Sequence, residues 1–354
     1  MAVIAIPHQK QSVMAHQLHY HAARNQYSFF SVREKAWHGL GLVIEDYPDS
    51  ASALRFAGLD FEVVKRPNIH RLDDGTELPS ADSFFTYRTD TGDILGSRLG
   101  RDYEVVQNTD AFAFFDAIVG GDGIQYETAG ALGKGERIFI TAKLPGYITV
   151  QGEDLVEKYL FLTTSHDGSG AITAAFTPVR IVCNNTLSLA LRDCTHRITI
   201  RHTRDARQRL EHAHRVMGIA NRLSDQLDGI FNRWARVRIS DAEVKHLIRQ
   251  ALSPARETLA GQDPATAAEL STYLQRVCDT VYAYTFESPT QQLPSTEGTL
   301  FGAYNGITGY FQNVREYRGA EDKMNSLFYG GLAEQRSREA FRLCSVFAEK
   351  GSLS

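Results

Sequence analysis

The spacing of hydrophobic residues changes along this chain. Up to about residue 203, short runs rich in β-branched and aromatic residues alternate with turn residues, which is typical of β-strands. Beyond that point, as in residues 210–230, hydrophobic residues recur at three- and four-residue intervals, which indicates amphipathic helices. The pattern predicts an α+β fold with a mainly antiparallel sheet in the N-terminal half, helices packed on that sheet, and a helical C-terminal half.

The same change of pattern divides the chain into three regions. Residues 1–30 are polar and histidine-rich without a regular period, and they are predicted to form a mobile N-terminal arm. Residues 31–203 are predicted to form a strand-rich α+β core. Residues 204–354 are predicted to form a helical part that packs on this core.

Capping and turn residues predict where individual elements begin and end. Helix starts are expected at Asp49, Ser50 or Ser52, at Asn108 or Thr109, at about residue 185, and at Ser240. A hairpin turn is expected at Thr91-Gly92. The glycine-rich stretch 130–137 lacks the Ser or Thr that follows the lysine of a triphosphate-binding loop, and it runs into a strand, so a second hairpin turn is expected there.

Composition and charge argue against several classes of function for this protein. The 354 residues carry a net charge of −4, which argues against a uniformly basic nucleic-acid coat but leaves room for a local basic patch. No apolar run is long enough for a membrane-spanning helix, and no signal peptide is recognisable, so we expect a cytoplasmic protein with no membrane partner. Histidines and cysteines lack ligand spacing, so neither a metal site nor a cofactor is expected.

Residues 192–238 form a locally basic segment, with eleven arginines against five acidic residues. Arginine favours bidentate phosphate contacts and stacking on bases. The predicted nucleic-acid contacts are Arg180, Arg192, Arg197, Arg201, Arg204 and Arg207. Trp234 and neighbouring Tyr or Phe side chains are candidate stacking platforms for a single strand. The alternative is a solvated helix face crossed by salt bridges.

A second hypothesis is nucleophilic catalysis. His166, Asp167 and Cys183, with Asn184 or Asn185, would form a Cys-His-Asn/Asp site if strand pairing brought them together. The alternative is structural: a strand residue at Cys183 is typically a small buried hydrophobe, and Asp167-Gly168 suits a turn.

The order of several motifs resembles the phage/plasmid-like proteins of domain-of-unknown-function family 932. These motifs are WHGLG at 37–41, LGRDYEVVQNTDAFAFFD at 99–116, TSHDGSGA at 164–171, TPVRIVCNNTL at 177–187, GTLFGAYNGITGYFQNVR at 298–315 and SLFYGGLAEQRSREAF at 326–341. The signature residues are Trp37, His38, Gly39, Gly41, Asp167, Asn184, Asn185 and Asn305, for which a structural role is expected. The resemblance implies an accessory protein of a phage, plasmid or integrated element, and it implies no chemistry.

Together these observations favour a non-enzymatic protein that binds nucleic acid, with single-stranded DNA as the expected partner and binding or annealing as the expected role. A homo-oligomer would fit that role. The main alternative is a protein-interaction module that modulates host machinery, and the third is a Cys/His-dependent enzyme.

Overall fold

The computed structural model describes residues 18–33, 40–119, 125–180, 185–186, 197–206, 208, 215–253, 264–328 and 330–352. Strands dominate the first half of these residues and helices the second, so the predicted α+β fold is confirmed. The strands are β1 (Tyr20–His21), β2 (Gln26–Tyr27), β3 (Phe29–Val32), β4 (Leu42–Ile44), β5 (Val63–Arg71), β6 (Glu77–Arg88), β7 (Ile94–Leu99), β8 (Gln125–Leu132), β9 (Arg137–Val150), β10 (Asp154–Ser165), β11 (Ile172–Arg180), β12 (Asn185–Thr186) and β13 (Arg197–Ile200).

The helices lie mostly in the second half of the chain. They are α1 (Ser50–Phe56), α2 (Asn108–Val119), α3 (Arg215–Trp234), α4 (Asp241–Leu252), α5 (Pro264–Glu287), α6 (Leu300–Gly309), α7 (Ala320–Phe328) and α8 (Leu332–Lys350). A five-residue π-helical turn, Tyr310–Val314, continues α6.

The largest sheet has eight strands, in the order β12-β11-β10-β9-β8-β3-β4, with β13 also paired to β11. Its pairs are antiparallel except β3 with β4, which run parallel. The long strands β9 and β10 form its centre, where Leu160 lies opposite Ala142 and Leu162 opposite Ile140. These four residues are buried, so one face of this sheet forms the hydrophobic core.

Helices of the C-terminal half complete that core. The α6 helix is buried along its whole length, and glycines allow its close approach to its neighbours. A Cβ added at Gly306 would lie 1.9 Å from Oγ1 of Thr285 on α5. Around α6, the rings of Trp234, Tyr304 and Phe341 pack at centroid distances of 4.8–5.8 Å. The helical region and the sheet therefore share one packed interior.

A separate antiparallel sheet of three strands, in the order β5-β6-β7, lies outside the large sheet. Its turn at residues 89–93 contains Gly92 with φ +76°, as expected for the predicted Thr91-Gly92 hairpin. The glycine-rich stretch 130–137 likewise forms the hairpin turn between β8 and β9. Both turn predictions are confirmed.

Helix starts were predicted with mixed success. Asp49 caps α1 by accepting a 2.6 Å hydrogen bond from the Ser52 amide, and Ser240 caps α4 in a reciprocal pair with Glu243. Asn108 is instead the first residue of α2, and its side chain bonds to other elements. Asn185, at the start of the helix predicted for 185–191, pairs with Arg180 as part of a strand; residues 187–191 lie outside the described residues.

The N-terminal arm was predicted too long. Leu18 is buried and bridges Leu132, and the His19 amide donates a 3.0 Å hydrogen bond to the Ala131 carbonyl. Phe29 and Phe30 then pair with β8. The folded structure therefore includes residues 18–30, because this segment buries apolar side chains against the large sheet.

Candidate nucleic-acid interface

The structure places some of the predicted arginines. Arg201 and Arg204 follow β13 and are exposed to solvent. Arg180 and Arg197 lie in strands β11 and β13, and Arg197 is opposite Ala175. Arg192 and Arg207 lie outside the described residues.

Trp234 cannot serve as the predicted stacking platform. Its side chain is only 1% exposed, and it packs against Phe231, Tyr304 and Phe341 in the core. Trp234 lies in a segment rich in charge, but the helix turns its ring into the core between helices. Trp234 is therefore not available to stack on a base.

The three-stranded sheet offers such a platform on its outer face. Successive strand residues point to opposite faces, so Phe85 and Tyr87 of β6 share one face, and Thr86 and Arg88 share the other. Thr86 and Arg88 are both fully buried, which identifies theirs as the inner face. Phe85 and Tyr87 remain partly exposed, with ring centroids 5.9 Å apart and planes inclined by 32°.

Basic and apolar side chains surround this aromatic pair. Arg66 of β5 lies opposite Phe85, is exposed, and forms no ion pair with the described residues. Ile94 of β7 lies opposite Tyr87 and is 53% exposed. Arg98, also exposed, lies in the irregular part of β7 beside Phe85. The outer face thus combines two neighbouring aromatic rings with two exposed guanidinium groups, of which that of Arg66 donates a 3.3 Å hydrogen bond to the Lys65 carbonyl.

A short path of contacts connects the inner side of this sheet, where Lys65 lies opposite Thr86, to the predicted arginines. Lys65 of β5 donates 2.7 Å hydrogen bonds to the carbonyls of Arg101 and Tyr103, and its ammonium lies 4.3 Å from the centre of the Phe84 ring. The next residue, Glu104, donates from its amide to the His202 carbonyl at 3.0 Å. Because His202 follows Arg201 directly, this short path of contacts brings Lys65 and Arg101 into the neighbourhood of Arg201 and Arg204.

An aromatic stack fixes that path. The rings of Tyr103 and His202 stack at 4.9 Å, and the Tyr103 hydroxyl donates to the Ser165 carbonyl at 2.9 Å. His202 lies between Thr164, 3.0 Å from its Nε2, and the Glu104 carbonyl, 3.1 Å from its Nδ1. Burial is the largest cause that lowers the pKa of His202, so the imidazole is neutral at pH 7.

The inner face of the small sheet is anchored to the large one. Thr86 donates a 2.6 Å hydrogen bond from its hydroxyl to the His166 carbonyl. A Cβ added at Gly96 would lie 2.7 Å from the Asp167 Cα, so only glycine permits the two backbones to approach this closely. The outer face is therefore presented on a fixed support.

Arg88 provides a second anchor. Its guanidinium is fully buried and donates to both carboxylate oxygens of Asp90, at 2.7 and 2.8 Å, and to the Lys134 carbonyl at 2.8 Å. It also lies 3.0 Å from Nε2 of His19 and 3.8 Å from the centre of the Phe61 ring. The hydrogen bonds from Arg88 lower the pKa of Asp90 to about 2, so the pair stays ionised.

The candidate catalytic histidine lies under this sheet. His166 is fully buried, and its Nε2 lies 2.9 Å from the amide oxygen of Asn108. Asn108 donates its own amide to the Leu59 carbonyl at 2.9 Å, so Nε2 of His166 is the donor in their contact. Burial lowers the pKa of His166 to about 3, and its Nδ1 has no partner among the described residues.

The other members of the proposed catalytic set are not brought to His166 by any described contact. Asp167 forms a turn in which its carboxylate accepts a 2.8 Å hydrogen bond from the Ser169 amide. Cys183 and Asn184 lie outside the described residues. Arg180, three residues before Cys183, pairs with Val156, whereas His166 follows Ser165 at the other end of β10.

The described signature residues occupy structural positions. Gly41 has φ +88°, and a Cβ there would lie 2.5 Å from the Phe29 carbonyl oxygen. Asn305 is buried in α6 and donates to the Phe301 carbonyl at 2.9 Å. Trp37, His38 and Gly39 lie outside the described residues.

The described residues include neither a metal-binding cluster nor a membrane-spanning helix. They contain no group of three or more His, Cys, Asp or Glu side chains placed to hold a metal ion. Their helices include none that is both long and apolar enough to cross a membrane.

The chain belongs to the family of the domain of unknown function DUF932, whose family model matches residues 95–328, more than half of the chain. The matched region includes Asn108, Tyr126 and His166 together with α3 to α7. No curated protein matches the chain, and no solved structure does.

Proposed function

We propose that this protein is a non-enzymatic nucleic-acid-binding protein that engages single strands on the outer face of its three-stranded sheet. The observation that carries the proposal is the pair of partly exposed rings, Phe85 and Tyr87, beside the exposed guanidinium of Arg66. Unstacked bases bind aromatic side chains on exposed sheets, and such stacking contributes about 1–3 kcal/mol per base.

The expected partner is single-stranded because a duplex hides the faces of its bases in its own stack. The two rings lie side by side on one strand face, which suits two successive unstacked bases of one strand. Every base has a π-face, so this mode of binding is tolerant of sequence.

Phosphate contacts are assigned to the arginines around the rings and to those near His202. Arg66 and Arg98 flank the aromatic pair, and Arg101, Arg201 and Arg204 lie along the path of contacts described above. Because arginine binds phosphate through two parallel N–H groups, these side chains suit a nucleic-acid backbone. The net charge of −4 does not oppose this, since local charge governs the contact.

The resemblance to phage/plasmid-like proteins supports an accessory role in a mobile genetic element, in the cytoplasm. Strand annealing would follow if copies of the chain assembled and presented several such faces. This context adds to the structural argument but does not replace it.

A second candidate function is protein interaction through the tip of the β5–β6 hairpin. Ile69, Leu72 and Leu78 are 58%, 47% and 47% exposed there; Leu72 and Leu78 share one face of the hairpin, and Ile69, opposite Pro79, lies on the other. Exposed apolar clusters mark surfaces that bind protein partners. This surface is separate from Phe85 and Tyr87, so the two functions can be tested independently.

The test is a fluorescence-anisotropy titration of labelled single- and double-stranded oligonucleotides over a salt series. We expect the single strand to bind more tightly, with an affinity that falls steeply as salt rises. Tyr87→Leu should weaken binding about 5- to 150-fold, the equivalent of one lost stacking contact. Tyr273→Leu is the matched control, because Tyr273 is 57% exposed on α5. No binding at low salt, or equal loss in both variants, would contradict the proposal.

A further inference from the structure

A cavity of about 290 Å³ lies between α4, α5, α6 and the segment that joins α5 to α6. Its apolar lining includes Ile239, Val244, Phe286 and Ala303, of which Ile239, Val244 and Ala303 are buried. This volume is at the lower end of the range for small-molecule sites, so it suits a ligand with one ring system and a small substituent.

One polar side chain in the lining lacks partners. Gln291 is 1% exposed, and both its amide oxygen and its amide nitrogen are buried without a hydrogen-bond partner among the described residues. A buried polar group without a partner destabilises the folded state, and a carboxamide left in this way combines two such groups. A ligand that offers a donor beside an acceptor would satisfy both atoms at once.

Two carboxylates complete the lining. Asp241 and Glu297 are exposed, and neither forms an ion pair or side-chain hydrogen bond with the described part of the chain. The Glu297 main chain is held by a 2.8 Å hydrogen bond from Arg238 to its carbonyl. Free carboxylates accept hydrogen bonds from hydroxyl groups and repel phosphates.

We infer that this cavity binds a free, unphosphorylated nucleoside. The Gln291 carboxamide matches the adjacent donor and acceptor on the edge of a nucleobase, the same bidentate geometry with which glutamine reads adenine. Phe286 and the aliphatic walls accommodate the flat ring, and the two carboxylates accept hydrogen bonds from the sugar hydroxyls. The inference is independent of the proposed nucleic-acid interface, which lies on the three-stranded sheet.

The experiment is isothermal titration calorimetry of the full chain with adenosine, guanosine, cytidine and uridine, and with the corresponding 5′-monophosphates. At least one nucleoside should bind, and its monophosphate should bind at least about tenfold more weakly because of the two carboxylates. Asp241→Asn/Glu297→Gln should narrow that difference.

The variant Gln291→Leu separates binding from folding. It removes the carboxamide and keeps the site apolar, so it should leave thermal stability unchanged or raise it while weakening nucleoside binding at least about tenfold. Gln125→Leu, at an exposed position in β8, is the matched control and should bind as the wild type does. Tyr87→Leu should also leave nucleoside binding unchanged.

Three results would overturn the inference. One is the absence of binding by all four nucleosides at millimolar concentration, and another is full nucleoside affinity in Gln291→Leu. The third is that no free nucleoside binds but Gln291→Leu weakens oligonucleotide binding. In that case the cavity would bind a base of a nucleic-acid strand.

Discussion

Thr86 donates a 2.6 Å hydrogen bond to the main-chain carbonyl of His166, and this bond joins the inner face of the three-stranded sheet to the end of β10. It places Phe85 and Tyr87, the neighbours of Thr86 on the opposite face, above a rigid base. A surface that binds flexible strands benefits from such support, because fixed side chains lose less conformational entropy on binding.

The contact between Gly96 and Asp167 should tolerate no side chain. Gly96→Ala would place a Cβ 2.7 Å from a backbone atom, so one of the two sheets must shift. We expect a loss of about 1–3 kcal/mol in the free energy of unfolding, measured by urea denaturation. Gly100→Ala is the control, because a Cβ at Gly100 has no neighbour within 4 Å. Equal stability of both variants would contradict this packing.

The pair of Arg88 and Asp90 should be strongly coupled. Arg88→Met removes both hydrogen bonds from the guanidinium to Asp90, but the exposed Asp90 carboxylate remains in contact with water and His21, so we expect a loss of about 1–3 kcal/mol. Asp90→Asn should also destabilise, and the double variant should lose less than the sum of the two single losses. A double-mutant cycle by chemical denaturation measures this coupling. Additive losses would show that the two side chains act independently.

Burial of His166 should make stability depend on pH. Its pKa is about 3 in the folded state, against about 6.5 in the unfolded chain, so below pH 6.5 the unfolded state takes up a proton that the folded state refuses. The stability contributed by neutral His166 is complete above pH 6.5 and is lost as pH falls toward 3, at up to about 1.4 kcal/mol per pH unit.

The variant His166→Gln tests this dependence, because its amide can still donate to Asn108 but does not titrate. The slope of unfolding free energy against pH, between pH 6 and 4, should be smaller than in the wild type. His70→Gln, at an exposed position, should keep the wild-type slope. An unchanged slope in His166→Gln would mean that His166 is not buried in neutral form.

Much of the fold followed from local sequence signals. Asp49, Ser240 and the Thr91-Gly92 turn act within a few residues of themselves, so sequence predicts them well. Asn108 was misjudged because its side chain bonds to Leu59, 49 residues away in sequence, and to His166, 58 residues away. Capping propensity cannot reveal such long-range partners.

The candidate interface was predicted only in part. Phe85 and Tyr87 were not among the predicted contacts, because their segment was predicted only as part of a hairpin, and only the tertiary structure shows that Thr86 and Arg88 occupy the buried face. Trp234 was wrongly predicted as a stacking platform. Arginines flank it in the sequence, but the helix turns this residue inward. Arg201 and Arg204 are exposed, as their charge predicts. The hydrogen bonds that connect their segment to Lys65 join residues up to about 100 positions apart in sequence, which local patterns do not reveal.

Arg201 and Arg204 should contribute to affinity through phosphate contacts. Arg201→Gln and Arg204→Gln should each weaken single-strand binding for all base sequences alike. Each should also reduce the slope of log affinity against log salt by about 0.7. Arg276→Gln, on α5, is a suitable control, since it removes the same charge from a different part of the surface. A slope unchanged in both variants would remove these arginines from the interface.

Photocrosslinking can show whether bases stack on Phe85 and Tyr87. A single strand that contains 5-iodouracil should be irradiated in complex with the full chain, and the crosslinked peptide identified by mass spectrometry. We expect crosslinks at Phe85 or Tyr87, reduced in Tyr87→Leu and unchanged in Tyr273→Leu. Crosslinks confined to other parts of the chain would contradict the proposed stacking.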